Sequence, residues 1–182
     1  LLAGGADLLQ LRAKGKDPAT IRRVAEKLIP LCRAAGIPFI LNDFPALAAE
    51  IGADGVHIGQ EDGSLADARS CYQSKIQNPK SNIIFGRSTH SLDQARAALA
   101  EGFDYIGFGP LFPTPTKAGR PGIGLEDIAL MEREVGSKIP AFCIGGIKRS
   151  NLDPVRAAGA RRVVIVSDLL TAPDIQAATA AA

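Results

Sequence analysis

Phe39-Ile40-Leu41-Asn42-Asp43 is a short apolar run that turns polar at its end, with Pro45 opening a helical stretch to Ile51 behind it. The same grammar recurs along the chain. Leu8 to Leu11 runs into Gln10, Arg12 and Lys14, and Gly55-Val56-His57-Ile58 into Gln60 and Asp62. Ile83-Ile84-Phe85 is followed by Ser88 and His90, and Tyr105-Ile106-Gly107-Phe108 by Thr114, Thr116 and Lys117. Ala141-Phe142-Cys143-Ile144 ends in Gly145-Gly146, and Val163-Val164-Ile165-Val166 in Ser167. Strands apolar throughout are buried on both faces, which requires a parallel sheet covered by helices. The intervening stretches are helical. Asp17-Pro18 is an N-cap with a first-turn proline, and Ile21, Val24, Ala25, Leu28, Leu31 and Cys32 keep helical spacing up to Gly36. Pro30 should kink that helix or shift its end. Ser64 to Tyr72 reads as a helix, and Ser91-Leu92-Asp93-Gln94 as a capping box whose helix ends at Gly102. Leu125 to Val135 and a capped Ser150 to Ala158 read as further helices, while Lys75 to Asn82, with Asn78-Pro79, reads as loop.

Seven strand-helix units without a doubly wound break point to a (β/α)8 TIM barrel in one domain over residues 1–182. The eighth strand would be a first, N-terminal one absent from this chain, since Leu1 to Asp7 reads as a helix end and glycine stop running into a strand. An open doubly wound sheet is disfavoured because no G-x-G-x-x-G opens a helix after a first strand.

Composition narrows the functions. The chain has 182 residues, 46% hydrophobic and 22% charged, enough for a sizeable core. A net charge of +2 and no basic run argue against nucleic acid, and no apolar run is long enough to span a bilayer. Cys32, Cys71 and Cys143 are odd in number and widely spaced, so they read as reduced thiols in a cytoplasmic protein. Nothing in the sequence sets an oligomeric state, and a homo-oligomer is allowed.

In a barrel the strand ends share one rim, where barrel enzymes carry their chemistry. Asp43 and Asp62 end separate strands and together suit Mg2+, which takes hard oxygen ligands and substrate phosphate. Gln10, Arg12 and Lys14 share one parity and would form an inward row that needs an anionic partner. Pro110, Pro113 and Pro115 stiffen the loop that presents Thr114, Thr116 and Lys117. Gly145-Gly146 and Val166-Ser167 stand where barrels commonly hold a phosphate on backbone N–H groups. His57 reads as a packed core histidine and His90 as a rim residue; no Ser-His-Asp arrangement is present.

Six stretches taken in order, Gln10-Leu11-Arg12-Ala13-Lys14, Leu41-Asn42-Asp43, Gly55 to Asp62, Gly86-Arg87-Ser88-Thr89-His90, Gly107 to Lys117 and Ile144-Gly145-Gly146-Ile147, resemble the thiamine-phosphate synthase family. The resemblance implies a transferase that joins a hydroxymethylpyrimidine diphosphate to a thiazole phosphate. It implies that Gln10, Leu11, Arg12, Ala13, Lys14, Asn42, Ser88 and Lys117 hold the pyrimidine diphosphate, with Arg12, Lys14, Ser88 and Lys117 catalytic. Asp43 and Asp62 would hold Mg2+, and Thr114, Pro115, Thr116, Gly145, Gly146, Val166 and Ser167 the thiazole phosphate. The stretch from Ser74 to Asn82 is longer than the family's loop, and Asp168 stands where the family often has alanine. That acid either weakens phosphate binding or faces away. A thiazole tautomerase, a non-catalytic phosphate-binding barrel and a generic sugar-phosphate barrel are the rivals; the paired aspartates with Arg12, Lys14 and Lys117 favour the synthase.

Overall fold

Asp17 begins α1 (Pro18–Ala35) by accepting the Thr20 N–H at 2.9 Å, and Gly36 ends it in the left-handed region at φ 69°. The apolar stripe Ile21, Ala25, Ile29 and Cys32 is buried. The helix continues through Pro30 and ends where the glycine ends it, so the proline does not move the terminus. Burial of the stripe on both sides of Pro30 outweighs the one hydrogen bond the ring removes.

α1 belongs to a computed structural model that describes residues 1–75, 83–114 and 121–182 in two compact units, Leu1–Gly86 and Arg87–Ala182. Residues 76–82, within the stretch expected to be loop, and residues 115–120 lie outside the described residues. In the first unit a 3-10 turn, Leu2–Gly4, ends at Gly5 with φ 91° and leads into β1 (Leu9–Leu11), as the glycine stop predicts. β1 pairs in parallel with β2 (Phe39–Asn42), and β2 with β3 (Gly55–Ile58). Leu11 lies opposite Leu41, so Arg12 and Asn42 reach the end of the sheet together; Asn42 in turn lies opposite His57. The crossovers are α1, α2 (Pro45–Ile51) and α3 (Leu65–Gln73), the last with a complete capping box between Ser64 and Asp67. Phe39, Ile40, Leu41, Val56, Ile58, Tyr72 and Phe85 form the buried core of this unit. His57 is buried with them, as its mid-strand position predicts.

β4 (Ile84–Thr89) is longer than the apolar run alone suggests, because it carries on through Arg87-Ser88-Thr89. Its start belongs to the first unit, where Ile84 N–H donates to Asp54 O at 3.0 Å. Its end belongs to the second, where Thr89 Oγ1 donates to Gly107 O at 3.0 Å. Strand order follows chain order, β1 to β7. In the second unit β5 (Tyr105–Phe108) pairs in parallel with β6 (Ala141–Ile144), and β6 with β7 (Val163–Val164). α4 (Leu92–Glu101) follows β4 and ends at Gly102.

Four local expectations change. The helix expected over Leu125 to Val135 is a short α5 (Ile128–Met131) continued by a π-helical turn, Glu132–Gly136. Glu132 is buried there, one oxygen accepting the Arg161 N–H at 3.2 Å, and a Cβ on Gly136 would sit 2.2 Å from the other. The helix expected from a Ser150 cap is a 3-10 turn, Arg149–Asn151, then α6 (Leu152–Ala157), because the Asn151 side chain takes the Lys148 N–H at 2.7 Å. Val163 to Val166 is strand only at Val163–Val164; Val166 already turns into α7 (Ser167–Leu170). At Ser91 the cap bond to Gln94 N–H is present, but the Gln94 side chain accepts from His90 N–H, one residue earlier than a capping box requires. α8 (Ile175–Ala180) follows, opened by the Asp174 side chain, which accepts the Ala177 N–H at 2.9 Å.

Gly55 shows how tightly the strands are set. A Cβ there would lie 2.5 Å from Ile40 Cδ1 and 2.6 Å from Ile84 O. Gly55→Ala is therefore expected to lower stability by about 1–3 kcal/mol, read as a lower urea midpoint at unchanged m value.

Candidate active site at the strand ends

In the first unit the residues that end β1, β2 and β3 assemble an ionic cluster. Asp43 lies one residue beyond β2, its N–H donating to His57 O at 2.8 Å. That bond and the next turn hold Asp43 at φ 60° and Phe44 at φ 50°, a left-handed pair without glycine. Asparagine and aspartate tolerate this region better than most residues. The Lys14 ammonium lies 3.8 Å from Asp43 Oδ2. Burial holds the Asp43 carboxyl above its ordinary pKa, and the neighbouring Asp62 charge and a hydrogen bond with Asp62 push it further; Lys14 and Arg12 pull the other way. Two carboxyls in hydrogen-bonding reach share a proton or need a cation between them. Asp62 is aimed by its own turn, accepting the Gly59 N–H at 2.7 Å. A Cβ on Gly59 would come within 2.9 Å of that carboxylate.

Asn42 is buried beside this cluster, Gln60 half-buried, and Gln10 and Leu11 half-buried on β1. Arg12 and Lys14 are exposed, which corrects the expectation of an interior-facing charged row. The strand stops at Leu11, so Lys14 sits in the following turn and its charge stays solvated. Among the described residues no group of three His, Cys, Asp or Glu side chains comes together. Asp43 and Asp62 thus offer a pair, the donor set of an ion that keeps waters and takes substrate phosphate.

In the second unit the ends of β4 to β7 carry Ser88, Thr114, Gly145, Gly146, Val166 and Ser167. Ser88 is half-buried in β4 and Thr114 half-buried in the loop after β5; Val166 and Ser167 are exposed. Pro115, Thr116 and Lys117 fall outside the described residues. Gly145 and Gly146 have a packing reason of their own. The loop lies directly on them, with Leu111 N–H on Ile144 O at 2.9 Å and Phe112 N–H on Gly145 O at 3.0 Å. Cβ atoms there would meet Pro110 at 2.4 Å and the Phe112 side chain at 2.7 Å, and both glycines are left-handed, at φ 97° and 67°. The turn beyond is tied by Asn151, whose Nδ2 donates to Gly146 O at 3.1 Å.

Asp168 is committed elsewhere. Its Oδ2 accepts both Arg149 N–H at 3.1 Å and Arg149 Nε–H at 2.8 Å, and these bonds hold its pKa below the ordinary carboxylate range. Its charge is matched, and it ties the turn after β6 to the start of α7. Asn151, Arg149 and Asp168 were missed as site supports by reading residues singly. The Lys148 to Asn151 spacing was a cap signal, but the Arg149–Asp168 pair spans 19 positions and leaves no local trace.

Neither buried thiol, Cys32 or Cys143, is disposed to form a thiolate. Burial and the Glu132 charge push Cys143 up to about 12, and burial raises Cys32.

Comparison with known proteins bears on both halves. A family model described as thiamine monophosphate synthase matches residues 1–169. The thiamine-phosphate synthase of Thermus thermophilus is 45% identical over 180 residues, 99% of this chain and 82% of the relative. That of Geobacillus kaustophilus is 40% identical over 183 residues, 99% of this chain and 79% of the relative. Among solved structures, thiamine phosphate pyrophosphorylase from Pyrococcus furiosus has a TM-score of 0.84 at 32% identity, covering 99% of this chain and 82% of that one. A 3-hexulose-6-phosphate synthase, TM-score 0.66 at 19% identity over 99% of this chain and 87% of its own, shares the fold alone. The fold class is that of the α/β TIM barrels. The chain belongs to the thiamine monophosphate synthase family. By family and near relatives its activity is that of a thiamine-phosphate synthase, a transferase of thiamine biosynthesis.

The carboxyl pair yields a prediction on stability. Without metal, the folded state holds the Asp43 proton more tightly than the unfolded chain does. Stability is therefore lost as pH rises from the ordinary carboxylate value, 3.8, through the raised one. Asp43→Asn keeps shape and suits the left-handed backbone, so in EDTA at neutral pH it is expected to raise Tm. It should also abolish any rise in Tm on adding Mg2+. A lower Tm in EDTA would contradict the electrostatic account.

Proposed function

We propose that the chain joins 4-amino-5-hydroxymethyl-2-methylpyrimidine diphosphate to a (carboxy)thiazole phosphate, forming thiamine phosphate and releasing diphosphate, and CO2 as well where the thiazole carries the carboxylate. The observation that carries this reading is the Asp43–Asp62 pair with Lys14 at 3.8 Å and Arg12 nearby, an acidic pair flanked by cations. Such a set fits a divalent cation together with the oxygens of a diphosphate. Asp43 and Asp62 would hold Mg2+. When bound, that ion supplies positive charge against the negative charge that grows on a departing diphosphate.

In this reading Gln10 to Lys14, Asn42, Ser88 and Lys117 hold the pyrimidine diphosphate. Arg12 offers a bidentate fork to phosphate oxygens and Lys14 and Lys117 point charges, while Ser88 offers a hydroxyl donor. Thr114, Pro115, Thr116, the Gly145-Gly146 turn, Val166 and Ser167 hold the thiazole phosphate. The carbon–oxygen bond to diphosphate breaks with its electron pair leaving on the oxygen, and the electron-rich aminopyrimidine disperses the positive charge on the carbon. The thiazole nitrogen lone pair then forms the new carbon–nitrogen bond. No step needs a side chain as nucleophile or strong base. The residues supply charge and position, and positioning alone accounts for several kcal/mol of such a barrier. Residues 1–182 would act as one barrel domain. The three unbridged cysteines suit the cytoplasm, and no helix among the described residues is long and apolar enough to cross a membrane.

The test is diphosphate release with each substrate alone and with both, with and without Mg2+. Thiamine phosphate forming only when both substrates and metal are present is the expected result. Interconversion of thiazole phosphate tautomers without diphosphate release would overturn the synthase reading. Asp43→Ala and Asp62→Ala should each abolish Mg2+-dependent turnover in folded protein. Lys117→Ala should lose roughly 2–4 kcal/mol of transition-state stabilisation in kcat/KM, the scale for removing one charge-stabilising donor.

A further inference from the structure

The Gly109 carbonyl, just past β5, accepts a hydrogen bond from the ring of His90, just past β4. A carbonyl oxygen only accepts, so Nδ1 carries the proton. That donor is present in this tautomer of the neutral ring and in the cation alike, so the bond does not depend on the ring's charge. His90 is itself held by its main chain, whose N–H donates to Gln94 Oε1 at 2.8 Å. This is the side chain that a capping box would have turned to Ser91. Next to it, the fully buried Thr89 accepts the Gly109 N–H at 3.0 Å. Two successive residues thus hold both polar atoms of Gly109, one through backbone and one through a side chain. Gly109 has no room to shift, since a Cβ there would lie 2.0 Å from Ile144 O. Beyond it the loop is held by backbone bonds, Ile123 N–H to Pro110 O at 2.8 Å and Gly124 N–H to Leu111 O at 3.1 Å, besides those to Ile144 and Gly145.

We propose that His90 is a positioning residue for the synthase reaction, acting through the Gly109 carbonyl to set the Gly109–Thr114 loop that receives the thiazole phosphate. This rests on the assignment of that loop to the thiazole phosphate under the proposed function. Sequence alone placed His90 at the rim without a role; the ring's partner supplies one.

The test compares His90→Ala, His90→Asn and His90→Gln with Thr114→Ala in steady-state kinetics on both substrates. Asn places an amide donor near the position of Nδ1, whereas Gln places it one bond further out. His90→Ala is expected to raise KM for the thiazole phosphate roughly tenfold or more while KM for the pyrimidine diphosphate stays within about twofold, and His90→Asn should recover most of the loss. An unchanged KM in His90→Ala overturns the proposal. So does a rise in both KM values that His90→Asn does not rescue, which would mark general support of the fold. Should His90→Ala not fold, the Asn and Gln variants decide: equal constants in the two overturn the proposal, and a higher thiazole KM in Gln supports it. Thr114→Ala separates the two claims. A raised thiazole KM there, with His90→Ala unchanged, removes the His90 role and keeps the phosphate reading. The reverse pattern keeps His90 and removes Thr114 as a phosphate contact.

Discussion

Strands buried on both faces leave only their ends for polar chemistry. Phe39, Ile40 and Leu41 are all essentially inaccessible, and so are Val56 and Ile58. A charged side chain in the middle of such a strand would face the full cost of burial. Parallel pairing then aligns the carboxyl ends of neighbouring strands, so the residues just past each apolar run are brought to a common edge within their unit. The placement of Arg12, Asn42, Asp43 and Asp62 in one cluster results from that constraint, and so does the placement of Ser88 at the end of β4 and of Thr114 and Gly145 after their strands.

The clusters are built differently. In the first unit the site is electrostatic and strained: a carboxyl pair, one member on left-handed backbone, partly offset by Lys14 and Arg12. Under the proposed function that arrangement suits a bound cation, and the raised Asp43 pKa is the stability it would exchange for function. In the second unit the site is mostly backbone. The loop after β5 is seated on Gly145 and Gly146 and gripped at Gly109, and the next turn is tied by Asn151 and by Arg149 with Asp168. Rigid backbone suits an anion held by N–H groups and hydroxyls, because little ordering is left to be done on binding.

Some readings held because their physical cause is local. The Asp17 and Ser64 caps, the Gly36 and Gly102 stops and the apolar strands each depend on a few neighbouring residues. The readings that changed did so through a competing neighbour in two cases and through a distant partner in two others. The capping box at Ser91 gave way because His90 N–H competes for Gln94. The strand expected to reach Val166 ends at Val164, since Val166 turns to start α7 and its apolar side chain is left exposed. Asp168 looked like a misplaced acid until its arginine was seen. Gly145 and Gly146 resembled a pure phosphate turn, yet the loop packed on them already demands glycine.

The amino-acid sequence by itself determined the order of strands and helices, the polar residues at the strand ends and, through six ordered motifs, the family. Each of these is written in periodicity or in contiguous residues. Only the tertiary structure decided that Asp43 shares its surroundings with Asp62, that Arg149 neutralises Asp168 and that His90 holds Gly109. Those relations join residues 19 positions apart along the chain in each case, and hydrogen bonds and charge act through space, so no local pattern encodes them.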